Sequence, residues 1–164
     1  MAIEIKNRSG DVIHTFAGES LRIANLSSAD LRGADLSSAN LSSATLSKGF
    51  EQSFEFKRTR ILPDEGEIIG WKKCENGVIV KLLIPADAKR SHAFGRKCRA
   101  EFAEVLEIFD RILDGKPFAR SQYAPEFVYR VGETVRSDNF YPDWREECAG
   151  GIHFFITRAE AEAY

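Results

Sequence analysis

Residues 24–46 read ANLSSADLRGADLSSANLSSATL, and their period decides the fold. Leucine returns every fifth position, at Leu26, Leu31, Leu36, Leu41 and Leu46, with Leu21 as a weaker forerunner. Alanine stands two places before each, at Ala24, Ala29, Ala34, Ala39 and Ala44. Asn25, Asp30, Asp35, Asn40 and Thr45 fall between them. A helix repeats about every 3.6 residues and a strand every second residue, so this spacing belongs to neither. It marks a repeat architecture, in which each unit buries its apolar face by stacking on the next. One small and one large apolar residue per unit suit the bore of a narrow tube. Asn and Asp suit its corners, because their side chains hydrogen-bond nearby backbone. A Ser/Ala-rich linker would have no reason to hold Leu and Ala at fixed spacing.

The pattern A-[DN]-L-x-x, running through residues 21–48, resembles the pentapeptide-repeat family. The resemblance implies a short right-handed, quadrilateral parallel β-solenoid, one pentapeptide per side. Leucines and alanines would point inward, and Ser, Arg and Gly outward. Six faces make about one and a half coils, too few to bury much surface alone. Upstream, AIEIK (2–6) and DVIHTF (11–16) alternate like strands around Asn7-Arg8-Ser9-Gly10, which predicts a β-hairpin. Solenoid ends expose unpaired strand edges, so the hairpin is expected to cap the repeat.

Composition changes at Phe50. Eleven of the twelve Phe, both Trp, all four Tyr and all three Cys lie from there onward. The expected organisation is therefore residues 1–49, hairpin plus solenoid, and residues 50–164, a small β-rich α+β domain with one or two helices. The whole is expected to be mainly β. SFEFKRT (53–59) alternates like a strand. Two apolar runs, 66–74 and 78–84, flank Asn76-Gly77, a strong hairpin signal. Residues 100–113 fit a helix by the spacing of Phe102, Val105, Leu106, Phe109, Ile112 and Leu113. They also fit a strand closed by a turn at 114–117; the helix is the preferred reading. FVYRVGETV (127–135) reads as one strand bent at Gly132, GIHFFIT (151–157) as a buried strand, and RAEAEAY as a short helix. Thr157 and Glu160 would form a capping box for that helix.

The totals exclude several classes. Net charge is −2, which argues against nucleic acid as a partner. No apolar run is long enough to span a bilayer. MAIEIKNRSG lacks an apolar signal region, so the expected location is cytoplasmic. Cys74, Cys98 and Cys148 are odd in number and widely spaced, which fits reduced thiols better than a disulfide framework or zinc site. No cofactor, metal cluster or catalytic set is expected.

Three stretches could carry binding chemistry. Lys89, Arg90, Arg96, Lys97 and Arg99 form a basic run whose only acid is Asp87. Arginine forks fit phosphate and carboxylate, although a solvated charged surface is the competing reading. Tyr129-Arg130 precedes Gly132 and could stack on and clamp a nucleotide, or be ordinary strand surface. His153 follows two glycines, whose presence before a strand indicates close approach by a ligand or another backbone. Cys148 has no recognisable base beside it, so a Cys-His hydrolase is not supported.

YRVG (129–132) with GGIHFFITRAEAEAY (150–164) faintly resembles two ADP-ribosyltransferase motifs. In that comparison Arg130 stands at the first motif, His153 replaces a Tyr, and Ala161 and Tyr164 lie in the helix. The motifs are close together, and no glutamate-bearing final strand follows them. The fuller pattern WKKCENGVIVKLLIP, RKCRAE, FVYRVGETV and CAGGIHFFITRAEAEAY resembles an uncharacterised domain that follows pentapeptide repeats in phage and prophage proteins. That resemblance implies action in a host cytoplasm. Three functions remain open. The first is non-catalytic binding of an anionic, nucleotide-like small molecule, such as a host signalling nucleotide. The second is a protein-interaction or homo-oligomerisation module acting on a host protein, and the third is an NAD-using ADP-ribosyltransferase.

Overall fold

The structure is a computed structural model that describes residues 1–37, 39–92, 94–109, 112–113 and 116–164. It is mainly β, with two short α-helices among the described residues and open sheets. Contacts divide the chain into two compact units. The first comprises Met1–Ile61, His92–Gly95 and Asp143–Glu147; the second comprises Leu62–Ser91, Arg96–Pro142 and Cys148–Tyr164.

In the first unit, Ala2–Lys6 (β1) and Val12–Ala17 (β2) pair as the antiparallel hairpin that their alternation predicts. Asn7 Oδ1 accepts the amides of Ser9 and Asp11 and so holds the turn. In the repeat, Asn25–Leu26 (β3) and Thr45–Leu46 (β4) run parallel, with Asn25 opposite Thr45 and Leu26 opposite Leu46. These partners stand four pentapeptides apart, so the repeat fits a solenoid.

The five-residue period has a visible cause. The amides of Ala24, Ala29, Ala34, Ala39 and Ala44 donate to the carbonyls of Leu21, Leu26, Leu31, Leu36 and Leu41, closing one turn per unit. The side chains of Asn25, Asp30, Asp35 and Asn40 accept the amides two residues on, at Ser27, Arg32, Ser37 and Ser42. Leu26, Leu31, Leu36 and Leu41 are buried, each burial worth about 1.5–3 kcal/mol. The hairpin joins this unit through the Asp35 amide, which donates to the Lys6 carbonyl at 2.8 Å.

SFEFKRT departs from expectation: Phe54–Thr59 is a helix (α1), not a strand. Ser53 caps it, its side chain accepting the Phe56 amide, which supplies a partner that a strand would not offer. Only one of its two phenylalanines turns inward. Phe56 packs on Phe50, Phe94 and Trp144, while Phe54 is exposed.

In the second unit, Ile68–Lys73 (β5) and Ile79–Ile84 (β6) form the hairpin predicted from Asn76-Gly77. Both turn residues have positive φ, 56° and 75°, the conformation that favours Asn and Gly. The chain continues through Arg90–His92 (β7), Cys98–Ala100 (β8) and Phe102–Phe109 (β9). Ile112–Leu113 (β10), Lys116–Arg120 (β11), Val128–Arg130 (β12), Thr134–Arg136 (β13), Ile152–Phe154 (β14) and Arg158–Ala163 (α2) complete it. The sheets have orders β13-β9-β6-β5, β14-β8-β7 and β10-β11-β12. Trp71 and Phe155 exchange backbone hydrogen bonds at 2.8 and 2.7 Å, fastening β5 to the chain leaving β14.

Residues 102–109 are strand rather than helix. β9 lies between β6 and β13, with Ala103 and Val105 buried and Glu104 exposed, a two-residue period. Its apolar spacing also matched a helix because Leu106 and Phe109 are half-buried on a strand with a neighbour on each side. Of the alternative turn at 114–117, Asp114 and Gly115 lie outside the described residues. FVYRVGETV is two strands, not one: β12 pairs with β11 and β13 with β9. Gly132, at φ 84°, makes the turn between them. The closing helix carries the expected capping box of Thr157 and Glu160.

Candidate functional site

One cavity of about 380 Å³ opens in the second unit. β5 contributes Lys72 and Lys73 to it. Lys97 comes from the approach to β8, and Cys148 from the loop before β14. β14 and the residue after it contribute His153 and Phe155. Tyr123 lies between β11 and β12, and Tyr164 follows α2. No Asp or Glu side chain lines the cavity among the described residues.

Lys72 is buried, although lysine is seldom buried without a charged partner. Its Nζ donates to the His153 carbonyl at 3.3 Å and lies 5.8 Å from the centre of the Tyr129 ring. Desolvation, helped by the nearby Lys97 charge, pulls its pKa below the ordinary lysine value. Lys73 Nζ donates to the Glu162 carbonyl at 3.0 Å. Lys97 Nζ donates to Cys148 Sγ at 3.2 Å and to the Tyr164 hydroxyl at 3.4 Å. Partial desolvation works against the Lys97 charge, but these two hydrogen bonds prevail and leave its pKa raised.

Aromatic surface adjoins the cations. The Tyr164 ring packs on Phe155 with centroids 5.2 Å apart, and Lys97 Nζ lies 5.3 Å from its centre. A hydrogen bond to Tyr164 pushes the Tyr123 phenol up. The capping box positions Tyr164 by starting α2 at a fixed residue, and Arg96 pairs with the same Glu160. The arrangement provides cations for an anion and ring faces for a planar group.

Of the residues selected from sequence, Lys97 and His153 meet in this cavity; the other six do not line it. Lys89 is exposed. Arg90 donates to the carbonyls of Gly66 and Asp64, and Arg130 pairs with Glu133 on the surface. Tyr129 is buried beneath Lys72, and burial pushes its phenol well up. Arg99 is fully buried. Its guanidinium donates to the carbonyls of Tyr141 (2.6 Å) and Gly150 (3.0 Å) and to Ser91 Oγ. Backbone explains the adjacent glycine: a Cβ at Gly150 would meet the Asn139 carbonyl.

Lys72 and Lys73 escaped the sequence reading because they sit in an apolar strand without a basic run. The available signal was a Lys at an inward position of an alternating strand, two residues after Gly70. Tyr123 and Tyr164 lie in segments whose partners are remote in sequence. Cys74, Cys98 and Cys148 form no disulfide. Among the described residues, no His/Cys/Asp/Glu group could hold a metal, and no helix is long and apolar enough to cross a membrane.

Residues 58–161 match the model of a family of unknown function, DUF5758, and residues 20–49 match that of pentapeptide repeats (8 copies). No curated protein and no solved structure matches the chain.

Proposed function

The chain belongs to the family of unknown function DUF5758, and on that premise we propose that it is a non-catalytic binding protein for an anionic, nucleotide-like small molecule. One observation carries the reading: three lysines line a cavity to which no Asp or Glu side chain contributes among the described residues. An anion would relieve this arrangement, because like charges repel and burial penalises the Lys72 charge. Phosphate oxygens would accept from Lys72, Lys73 and Lys97, and a base would lie against Tyr164 or Tyr123. In the phage setting implied by the C-terminal resemblance, the protein would sequester a host nucleotide. Calorimetric titration with ADP tests this. Lys97→Met is expected to weaken binding at least about tenfold, the loss of one charged hydrogen bond. An absence of ADP and pyrophosphate binding, or an unchanged affinity in Lys97→Met, would overturn it.

For the first unit we propose a right-handed, four-sided solenoid capped by the β1–β2 hairpin and serving as a self-association layer. The parallel pairing of β3 with β4 and the exposed Ile23 support it. Sedimentation velocity should reveal an assembly that Ile23→Asp dissociates. A single-chain species at every concentration would count against it.

A further inference from the structure

The geometry points to Lys72 as an amine that captures a carbonyl group on the anion, so that the cavity holds its ligand through a reversible imine. This inference rests on the anion-binding reading and adds the ligand's second functional group, an aldehyde or ketone carried on a phosphate or carboxylate.

The three lysines occupy different settings. Lys97 is hydrogen-bonded to a thiol and a phenol, and its charge is favoured. Lys73, the last residue of β5, is half-buried, with its ammonium on the Glu162 carbonyl. Lys72 is the deep one, 9% exposed, between the Tyr129 ring and the cavity. Its Nζ has a neutral backbone carbonyl as hydrogen-bond partner, at 3.3 Å. A lysine desolvated beside other cations retains more free amine near neutral pH than an exposed lysine, and free amine is the nucleophile. Burial and the Lys97 charge both act in that direction here. Lys73 and Lys97 supply charge for the anionic end of the ligand, leaving its carbonyl to meet Lys72.

The step balances without an oxidant or reductant. The Lys72 nitrogen lone pair attacks the carbonyl carbon, and one proton passes from nitrogen to the carbonyl oxygen to give a neutral carbinolamine. Its hydroxyl then leaves as water with the second nitrogen proton, and a C=N bond remains. Water reverses the sequence and releases the ligand.

Two probes separate this inference from the reading beneath it: pyridoxal 5′-phosphate, an aldehyde, and pyridoxine 5′-phosphate, its alcohol counterpart. Each is titrated into the full chain; the aldehyde complex is then reduced with borohydride and its peptides are mapped by mass. The expected result is binding of both, with a reduced adduct on Lys72 ahead of every other lysine. Pyridoxine phosphate should compete with that adduct, and Lys72→Met should lose it completely. Binding of both probes without an adduct on Lys72, or with adducts on Lys73, Lys97 or scattered surface lysines instead, overturns the inference and leaves the anion site standing. Binding of neither probe overturns the inference, and if ADP and pyrophosphate also fail to bind, the anion-binding reading falls with it. A thermal melt of Lys72→Met confirms folding, so a lost adduct cannot be mistaken for a lost fold.

Discussion

Lys97 Nζ stands 3.2 Å from Cys148 Sγ, placing an ammonium against an exposed thiol at the wall of the lysine-lined cavity. The other two thiols are buried, and desolvation pushes Cys74 up to about 11. Iodoacetamide should therefore alkylate Cys148 first and leave Cys74 and Cys98 intact in the folded protein. Saturating ADP should slow the reaction. Peptide mapping over time measures both effects; equal labelling of Cys74 and Cys148 would contradict this placement.

Lys72 imposes a stability cost. Its folded pKa lies below the ordinary lysine value of 10.5. Between the folded and unfolded values, the unfolded chain binds the extra proton, so stability from this group rises with pH. Lys72→Met should raise thermal stability near neutrality by about 1 kcal/mol, or about 2–4 °C. The gain should shrink as pH climbs through the ordinary lysine range, and ADP affinity should fall. Melting curves at several pH values test this; a destabilised variant near neutrality would show that the buried cation is not a net cost.

Arg99 is a structural residue by its contacts. Removing its guanidinium takes the side-chain donor from the Tyr141 carbonyl and one of two donors from the Gly150 carbonyl, which keeps the Tyr141 amide. Arg99→Ala should cost about 2–4 kcal/mol, read from urea unfolding. Arg130→Ala, at an exposed ion pair, should change stability by less than about 0.5 kcal/mol. Equal effects would refute the distinction.

The repeat predicts a similar contrast. Leu36 is 1% exposed within the repeat core, and Leu36→Ala should cost about 3–5 kcal/mol through the cavity it leaves. The Asp30 carboxyl is held at about 2 by hydrogen bonds from Arg32, but the pair is exposed. Arg32→Ala should therefore leave unfolding nearly unchanged. A mild Leu36→Ala phenotype would mean that the leucines do not form the core.

Local patterns were readable where one short segment determined the outcome. The five-residue period gave the turns and buried leucines, Asn76-Gly77 gave a hairpin, and Thr157 with Glu160 gave a helix start. Elements governed by distant partners were harder to read. β9 became a strand because β6 and β13 flank it, and α1 formed around a Ser53 cap and an aromatic cluster that includes Trp144. The site divides in the same way. Lys97 and His153 stood out as a basic residue and a histidine near glycines. Lys72 acquires its character from burial against Tyr129, which no local pattern encodes. The arginines that stood out most clearly are occupied by backbone carbonyls or carboxylates.

The most direct test is a crystal structure of the protein grown with ADP. The account predicts phosphate density within hydrogen-bond distance of Lys72, Lys73 and Lys97, with the adenine against Tyr164 or Tyr123. Density at Arg90 or Arg130 with the cavity vacant would contradict it.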